Sequence, residues 1–205
     1  MSIPIEEADD ELAVLVQAWG FDAVRKVEKR HPYNFTSIVG DMNYNDYVVR
    51  LTADNPVVDL GLIDELMNFY LPIHNAYSGA CTRSDFYGYN PGQYPWGMDV
   101  ELFKVSSLRL YNLRDLYEGM RIATLYPNEI PPSGLSVTMD WYHDYMWIQS
   151  FVLSMELNNC VLSYGFIVQL YKKMVEALSK QDILTTTQRI RRIAEKLNDM
   201  DSQSA

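Results

Sequence analysis

The stretch DVELFKVSSLRLYNL, residues 99–113, decides the fold class, because it is compatible with a strand and with a helix. Val100, Leu102 and Lys104 fall on one side of an extended chain. This partial alternation continues in MRIATLY, residues 120–126, and favours a small antiparallel sheet or hairpin. The overlapping segment LRLYNLRDLY, residues 108–117, fits a short helix equally well. We therefore predict a minor β portion within residues 99–126.

Most of the remaining chain has apolar residues at helical spacing. We predict a helix from about Ala8 to Lys29 that weakens at Gly20, and a second helix in which Asp59 caps the N-terminus. The segment VTMDWYHDYMWIQSFVLSMELNN carries a narrow polar stripe, so we predict a central helix packed on several sides. A strand is expected near residues 44–52, the second helix spans 57–77, and further helices are expected at 166–180 and 185–201.

These patterns together predict an α+β fold that is mostly α, with a helical core, a small antiparallel β portion and a long aromatic loop. A chain of 205 residues has enough apolar material for one good core. We expect one compact, mostly helical domain with an inserted β hairpin over residues 1–181. A C-terminal amphipathic helix and a short polar tail follow over residues 182–205.

The charge of the chain argues against several classes of partner. The net charge is −10, which makes nucleic acid an unlikely direct ligand. Residues 172–205 carry seven Lys or Arg and five acids, a net charge of +2, so the rest of the chain has a net charge of −12. No apolar run approaches the roughly 20 residues of a membrane span. The acidic N-terminus and the two cysteines predict an intracellular protein, cytoplasmic or incorporated in a virion.

Residues with catalytic chemistry are present but form no strong motif. Glu28 and Asp140 each precede a histidine by three residues, and helical acid-x-x-His pairs can build metal sites. His143 also lies next to Asp144, and Cys81 follows His74 by seven residues. Phosphate-loop, nucleophile-elbow and dinucleotide motifs do not occur. We therefore predict no catalytic residues, no metal and no cofactor, and the sequence leans towards a non-enzymatic protein without deciding it.

The segment FYGYNPGQYPWGMD, residues 86–99, contains five aromatic rings, three glycines and two prolines. Such loops offer rigid amphipathic rings and an adaptable backbone, which suits protein recognition. The alternative is that the rings fold back into the core of the domain. The C-terminal helix carries an apolar stripe that is separated from the preceding helix by polar residues. We predict partner contacts at these seven residues: Tyr87, Tyr89, Tyr94, Trp96, Ile190, Ile193 and Leu197.

Three hypotheses for function follow. The first is a non-enzymatic structural or adaptor protein that joins a larger assembly, as a homo-oligomer or with other proteins. Residues 130–159, a proline-led entry into an apolar helix, look somewhat like the C-terminal half of phage head-to-tail adaptor proteins. That resemblance implies a virion component such as a head-tail connector. The second hypothesis is a metal-dependent or cysteine enzyme. The third is an acidic regulator or inhibitor that binds one protein.

Overall fold

The computed structural model describes residues 1–26, 35–36, 38–83, 92–119, 121–132, 135–158 and 162–179. Six strands lie in this part of the chain: β1 Ser2–Pro4, β2 Val24–Lys26, β3 Tyr47–Leu51, β4 Gly79–Cys81, β5 Val100–Lys104 and β6 Ile122–Thr124. Six α-helices accompany them: α1 Asp10–Ala18, α2 Leu60–Tyr70, α3 Val105–Leu110, α4 Leu113–Glu118, α5 Tyr142–Asn158 and α6 Tyr164–Ser179. Short 3₁₀ helices cover Glu7–Asp9 and Leu71–Ile73.

A four-stranded mixed sheet with the order β3-β5-β4-β6 organises the molecule. Strand β5 pairs antiparallel with β3 and with β4, and β4 pairs parallel with β6. The prediction of a mostly α fold is therefore wrong, because a four-stranded sheet accompanies the helices, and this sheet is mixed rather than antiparallel. Short strands that pair with distant segments leave little periodic signal in a sequence, which explains the error.

The two faces of the sheet pack against different helices. On one face, Val100 and Leu102 of β5 join Leu66 of α2, Ile148 of α5 and Ile167 of α6 in the main core. On the other face, Phe103 packs with residues of α3 and α4 in a second core. Side chains alternate along a strand, so β5 supplies both cores from neighbouring positions.

The N-terminal segment forms a third, small cluster. Strands β1 and β2 pair in parallel, and Ile3, Ala13 and Val16 are buried between them and α1. The predicted helix from Ala8 to Lys29 is too long, because α1 ends at Ala18 and Gly20 adopts a φ of +84°. A left-handed backbone there ends the helix, and residues 24–26 continue as β2 instead.

Helix α5 differs from its predicted central position. Among its described side chains Ile148 is buried, whereas Tyr142, Tyr145, Met146 and Leu153 are exposed. The cap on α2 matches the prediction, since the Asp59 carboxylate accepts a hydrogen bond from the backbone of Gly61 at 2.8 Å. Among the described residues, no helix combines the length and the apolarity that a membrane span requires.

Candidate functional site

One row of side chains crosses the sheet on the face that is opposite to the main core. The strand register aligns Arg50 of β3, Glu101 of β5, Cys81 of β4 and Thr124 of β6. Arg50 forms an ion pair with Glu101, which also accepts a hydrogen bond from the hydroxyl of Tyr117 at 2.6 Å. The register of three strand pairs and the position of α4 therefore bring these polar groups together.

A groove of about 240 Å³ continues from this row beyond the ends of the strands. Alternate residues share a sheet face, so Thr52 follows Arg50, Arg83 follows Cys81 and Asp99 precedes Glu101 in the same layer. We call this space the sheet-end groove. Its lining comprises Arg50, Thr52, Asp54, Arg83, Trp96, Asp99, Glu101, Tyr117, Thr138 and Asp140.

Arg83 is the most buried charged residue of the groove, at 5% exposure. Its Nε lies 3.1 Å from Oδ1 of Asp99, and its Nη1 donates a hydrogen bond to the carbonyl of Tyr94 at 2.9 Å. The guanidinium also lies 3.8 Å from the centre of the Trp96 ring. Stacking on an indole and pairing with a carboxylate compensate the desolvation of this cation.

The segment that carries Trp96 is fixed by the same carboxylate. Oδ2 of Asp99 accepts hydrogen bonds from the Asn55 amide and from the backbone of Gly97, both at 3.1 Å. Gly97 has a φ of +91°, and a β-carbon there would lie 2.2 Å from the backbone of Val137. Glycine is therefore required by the backbone angle and by the close approach of a neighbouring segment.

That neighbouring segment forms the far wall of the groove. Trp96 and Ser136 form an isolated parallel bridge, and the Val137 N–H donates to the Trp96 carbonyl at 2.7 Å. The Met139 N–H donates to the carbonyl of Asp54 at 2.7 Å. These bonds bring Thr138 and Asp140 across from Asp54.

Burial alters the acidity of the groups beneath the groove. Burial raises the pKa of the Cys81 thiol to about 12, with a further contribution from the charge of Glu101. Burial and the same carboxylate hold the pKa of Tyr117 well above its usual value. Both groups are therefore protonated at neutral pH. A cysteine nucleophile reacts as a thiolate, so the burial and the raised pKa of Cys81 do not favour this residue as a nucleophile.

The residues of the aromatic loop have different positions. Tyr94 is 2% exposed in the main core, where its ring packs against Tyr164 with the centroids 5.0 Å apart. Trp96 is 41% exposed and lines the sheet-end groove. Five of the predicted contact residues lie outside the described residues, namely Tyr87, Tyr89, Ile190, Ile193 and Leu197. Partner binding through this set remains a prediction.

Of the acid, histidine and cysteine residues that were weighed for an enzyme, those that the structure describes lie in more than one place. His143 is exposed, and its Nε2 lies 3.3 Å from Oδ1 of Asp144. The other carboxylate oxygen of Asp144 accepts the N–H groups of Asp140 and Trp141 at the start of α5. Asp140 lines the groove, whereas Glu28, His31 and Cys160 lie outside the described residues. Within the described residues, no group of three or more His, Cys, Asp or Glu side chains is placed to hold a metal ion.

Sequence reasoning missed Arg50, Arg83, Asp99 and Glu101. The available signal was the pair of acids in DVELF, residues 99–103, at alternate positions of a predicted strand. Two charges on one face of a strand that is otherwise apolar indicate a polar site on that face. The matching arginines lie 16 or more residues away along the chain, so their pairing follows from the sheet register alone.

Neither a known family model nor a curated protein sequence matches the chain. Its fold is similar to the solved structure of a cytidylyltransferase from Leptospira borgpetersenii, with a TM-score of 0.63 and 20% sequence identity. The match covers 85% of this chain and 76% of that one. At this identity the likeness shows the fold alone.

This comparison corrects the predicted function. The structure that this fold resembles over 85% of the chain is that of an enzyme, and nothing among the described residues supports a structural, adaptor or virion protein. That prediction is wrong. The layout of residues 130–159, a proline-led entry into a helix, is common to many folds and carried too little information to identify one.

Proposed function

We propose that the protein is a nucleotide-dependent transferase that binds its nucleotide, in complex with a divalent cation, in the sheet-end groove. The observation that carries this proposal is that an exposed tryptophan ring, a partly exposed arginine and several carboxylates line one groove. The likeness to a cytidylyltransferase structure supports it at the level of fold. Cytidylyl transfer from CTP is therefore the first activity to test.

Trp96 provides a surface for the base. One side of its ring is covered by the guanidinium of Arg83, and the residue still exposes 41% of its surface. Stacking of a base on an aromatic side chain contributes about 1–3 kcal/mol. The ion pair with Asp99 and the bond to the Tyr94 carbonyl hold Arg83, so the ring is already oriented before a base binds.

Arg50 is the cation that can reach a phosphate. Its side chain is 28% exposed, compared with 2% for Arg83, and its described ionic partner is Glu101. Guanidinium groups bind phosphate in two-point contacts. We infer that Arg50 turns from Glu101 to the phosphate when the nucleotide binds.

The charge of the groove favours a metal–nucleotide complex over the free nucleotide. Asp54, Asp99, Glu101 and Asp140 outnumber the two arginines, which gives a formal charge of −2. A bare triphosphate is repelled by that field. Magnesium is commonly held by one or two carboxylates together with the phosphates of a substrate. Asp54 and Asp140 are exposed, and they lie on two segments joined by the bond from the Met139 N–H to the Asp54 carbonyl, so they are the carboxylates available to a cation that arrives with the nucleotide.

Calorimetric titration with CTP in the presence and absence of Mg²⁺ tests the proposal. We expect binding that requires the cation and that weakens about tenfold or more in Arg50→Met and in Trp96→Leu. Trp19→Leu and Arg114→Met are matched controls, because both side chains are exposed and do not line the groove.

Two results would contradict the proposal. One is the absence of Mg²⁺-dependent binding of CTP, ATP, GTP and UTP to the intact protein. The other is equal affinity of the groove variants and the control variants. If binding is confirmed, release of pyrophosphate from CTP in the presence of candidate acceptors tests the transfer reaction itself.

A further inference from the structure

A second cavity, of about 510 Å³, lies at the end of β5 that is remote from the sheet-end groove. Its walls come from the turn before β4, the end of β5, the start of α3 and the residues just before β6. The backbone of Ser78 joins these strand ends: its N–H donates to the Arg121 carbonyl at 2.8 Å, and its carbonyl accepts from the Lys104 N–H at 3.2 Å. Lys104 and Arg121 are thus held on either side of Ser78.

The charge of this cavity is opposite to that of the whole protein. Lys104 and Arg121 line it, and among its described lining residues there is no Asp or Glu. The nearby Glu118 carboxylate is paired with Arg114 at 2.6 Å. In a chain with a net charge of −10, a cavity whose described lining contains two cations and no carboxylate is a local site for anions.

Both cations keep donors for a ligand. In the described part of the chain, the Lys104 ammonium donates to the carbonyl of His74, and an ammonium carries three N–H groups. The Arg121 guanidinium donates to the Tyr111 hydroxyl at 3.1 Å and stacks on that ring, and a guanidinium carries five N–H groups. The contacts with His74 and Tyr111 hold the two side chains in place, and they leave further N–H groups of each cation to donate to a ligand.

The rest of the lining consists largely of neutral hydrogen-bonding groups. Ser78, Ser106 and Ser107 contribute hydroxyls, and Asn75 contributes an amide. Hydroxyl and amide groups both donate and accept hydrogen bonds, which suits the hydroxyls of a polyol or sugar. The volume lies within the range of roughly 300–1,000 Å³ found for small-molecule sites.

We propose that this cavity binds a small phosphorylated polyol or sugar, with the phosphate on Lys104 and Arg121 and the hydroxyl groups on the serines and Asn75. The site is separate from the sheet-end groove and does not rest on the function proposed for it. Strand β5 runs between them, with Glu101 beside the groove and Lys104 beside the cavity.

The experiment is calorimetric titration of the full chain with inorganic phosphate, ribose 5-phosphate and ribose. We expect ribose 5-phosphate to bind more tightly than inorganic phosphate, and ribose not to bind. Lys104→Met and Arg121→Gln remove one charge each and should weaken binding of ribose 5-phosphate about tenfold or more. Lys173→Gln removes an exposed charge on α6, outside the cavity, and should leave the affinity unchanged.

A variant that adds a negative charge to the cavity provides a second test in case Lys104→Met or Arg121→Gln impairs folding. Ser106→Asp places a carboxylate in the cavity within the first turn of α3, where helices tolerate acids. It should abolish binding of ribose 5-phosphate while the protein stays folded by circular dichroism.

Three outcomes would overturn the proposal. The first is no binding of either phosphate compound to the wild-type chain. The second is equal affinity for ribose 5-phosphate and inorganic phosphate, which shows an unspecific attraction of anions. The third is loss of ribose 5-phosphate binding in Arg50→Met with retention in Ser106→Asp, which assigns the phosphate to the sheet-end groove. Failure of CTP to bind leaves this test unaffected, because the two sites have different lining residues.

Discussion

At the scale of single residues, Arg83 holds in place the segment that forms one wall of the sheet-end groove. Its side chain contacts the Asp99 carboxylate, the Tyr94 carbonyl and the Trp96 ring, all of which belong to the segment between residues 92 and 99. That segment contains no helix or strand among its described residues, apart from the bridge at Trp96. One buried cation therefore replaces the backbone hydrogen bonds that regular structure would supply.

Arg83→Met tests this role. The substitution keeps most of the aliphatic volume, and it leaves Asp99 without its cation and Tyr94 without a donor from Arg83. We expect a loss of about 2–3 kcal/mol in the free energy of unfolding, measured by urea titration. Arg114→Met removes an exposed i,i+4 ion pair and should cost less than about 0.5 kcal/mol. Equal effects of the two substitutions would contradict the role of Arg83.

Cys81 makes the stability of the protein sensitive to alkaline pH. In the unfolded chain the thiol ionises near its ordinary pKa of 9, whereas burial raises the pKa of the folded thiol to about 12. The folded state therefore retains a proton that the unfolded state releases, and stability falls as pH rises from about 9 towards 12. Tyr117, whose pKa is also raised by burial, acts in the same direction.

We expect the free energy of unfolding to fall between pH 8 and pH 10, and to fall less in Cys81→Ala. Between pH 8 and pH 10, the free energy of unfolding of the wild-type protein should fall by about 1 kcal/mol more than that of Cys81→Ala. Urea titrations of both proteins at pH 8, 9 and 10 provide the measurement. Identical slopes would show that the thiol does not contribute to the pH dependence.

At the scale of elements, the sequence predicted the helices and strands that depend on neighbouring residues. It did not predict the features that depend on pairing between distant segments. The cap at Asp59, the strand at Tyr47–Leu51 and the helix at Tyr164–Ser179 each follow from neighbouring residues, and each was predictable. Strand β4 has three residues, and its place between β5 and β6 depends on segments about 20 and 40 residues away. The groove is built from such pairings, which is why its arginines and carboxylates were not predicted as a site.

Two glycines with positive φ allow a matched test of the loop before β5. Gly97→Ala introduces a β-carbon at 2.2 Å from the backbone of Val137, whereas Gly20→Ala meets nothing within 4 Å. Both substitutions carry the cost of a left-handed backbone, of order 1–2 kcal/mol. The collision adds to that cost at Gly97, so we expect a loss of more than about 3 kcal/mol there.

Urea titration of both variants gives the comparison, and near-ultraviolet circular dichroism reports on the surroundings of Trp96. If Gly97→Ala were no more damaging than Gly20→Ala, the close packing of residues 96–98 against 136–138 would be wrong.

At the scale of the whole molecule, stability is unevenly distributed. Among the described residues, the main core contains 16 buried hydrophobic side chains on one face of the sheet, and the second core contains six on the other. The N-terminal cluster contains three, namely Ile3, Ala13 and Val16. Trp19 and Phe21, in the same part of the chain, are 64% and 65% exposed. Because burial of apolar area drives folding, we expect the N-terminal cluster to be stabilised by a much smaller free energy than the sheet.

Native-state hydrogen exchange makes this difference measurable. We expect the backbone amides of β2 and α1 to exchange through local opening at a lower free energy than the amides of β5, which should open only when the protein unfolds globally. Ile3→Ala removes the side chain that is 1% exposed in the small cluster, so it should lower protection in residues 1–26 and leave β5 unchanged. Leu102→Ala removes a fully buried side chain from the main core and should lower protection throughout the chain. If Ile3→Ala lowered the protection of β5 to the same extent as that of β2, the N-terminal cluster and the sheet would unfold as one cooperative unit, and the uneven distribution would be refuted.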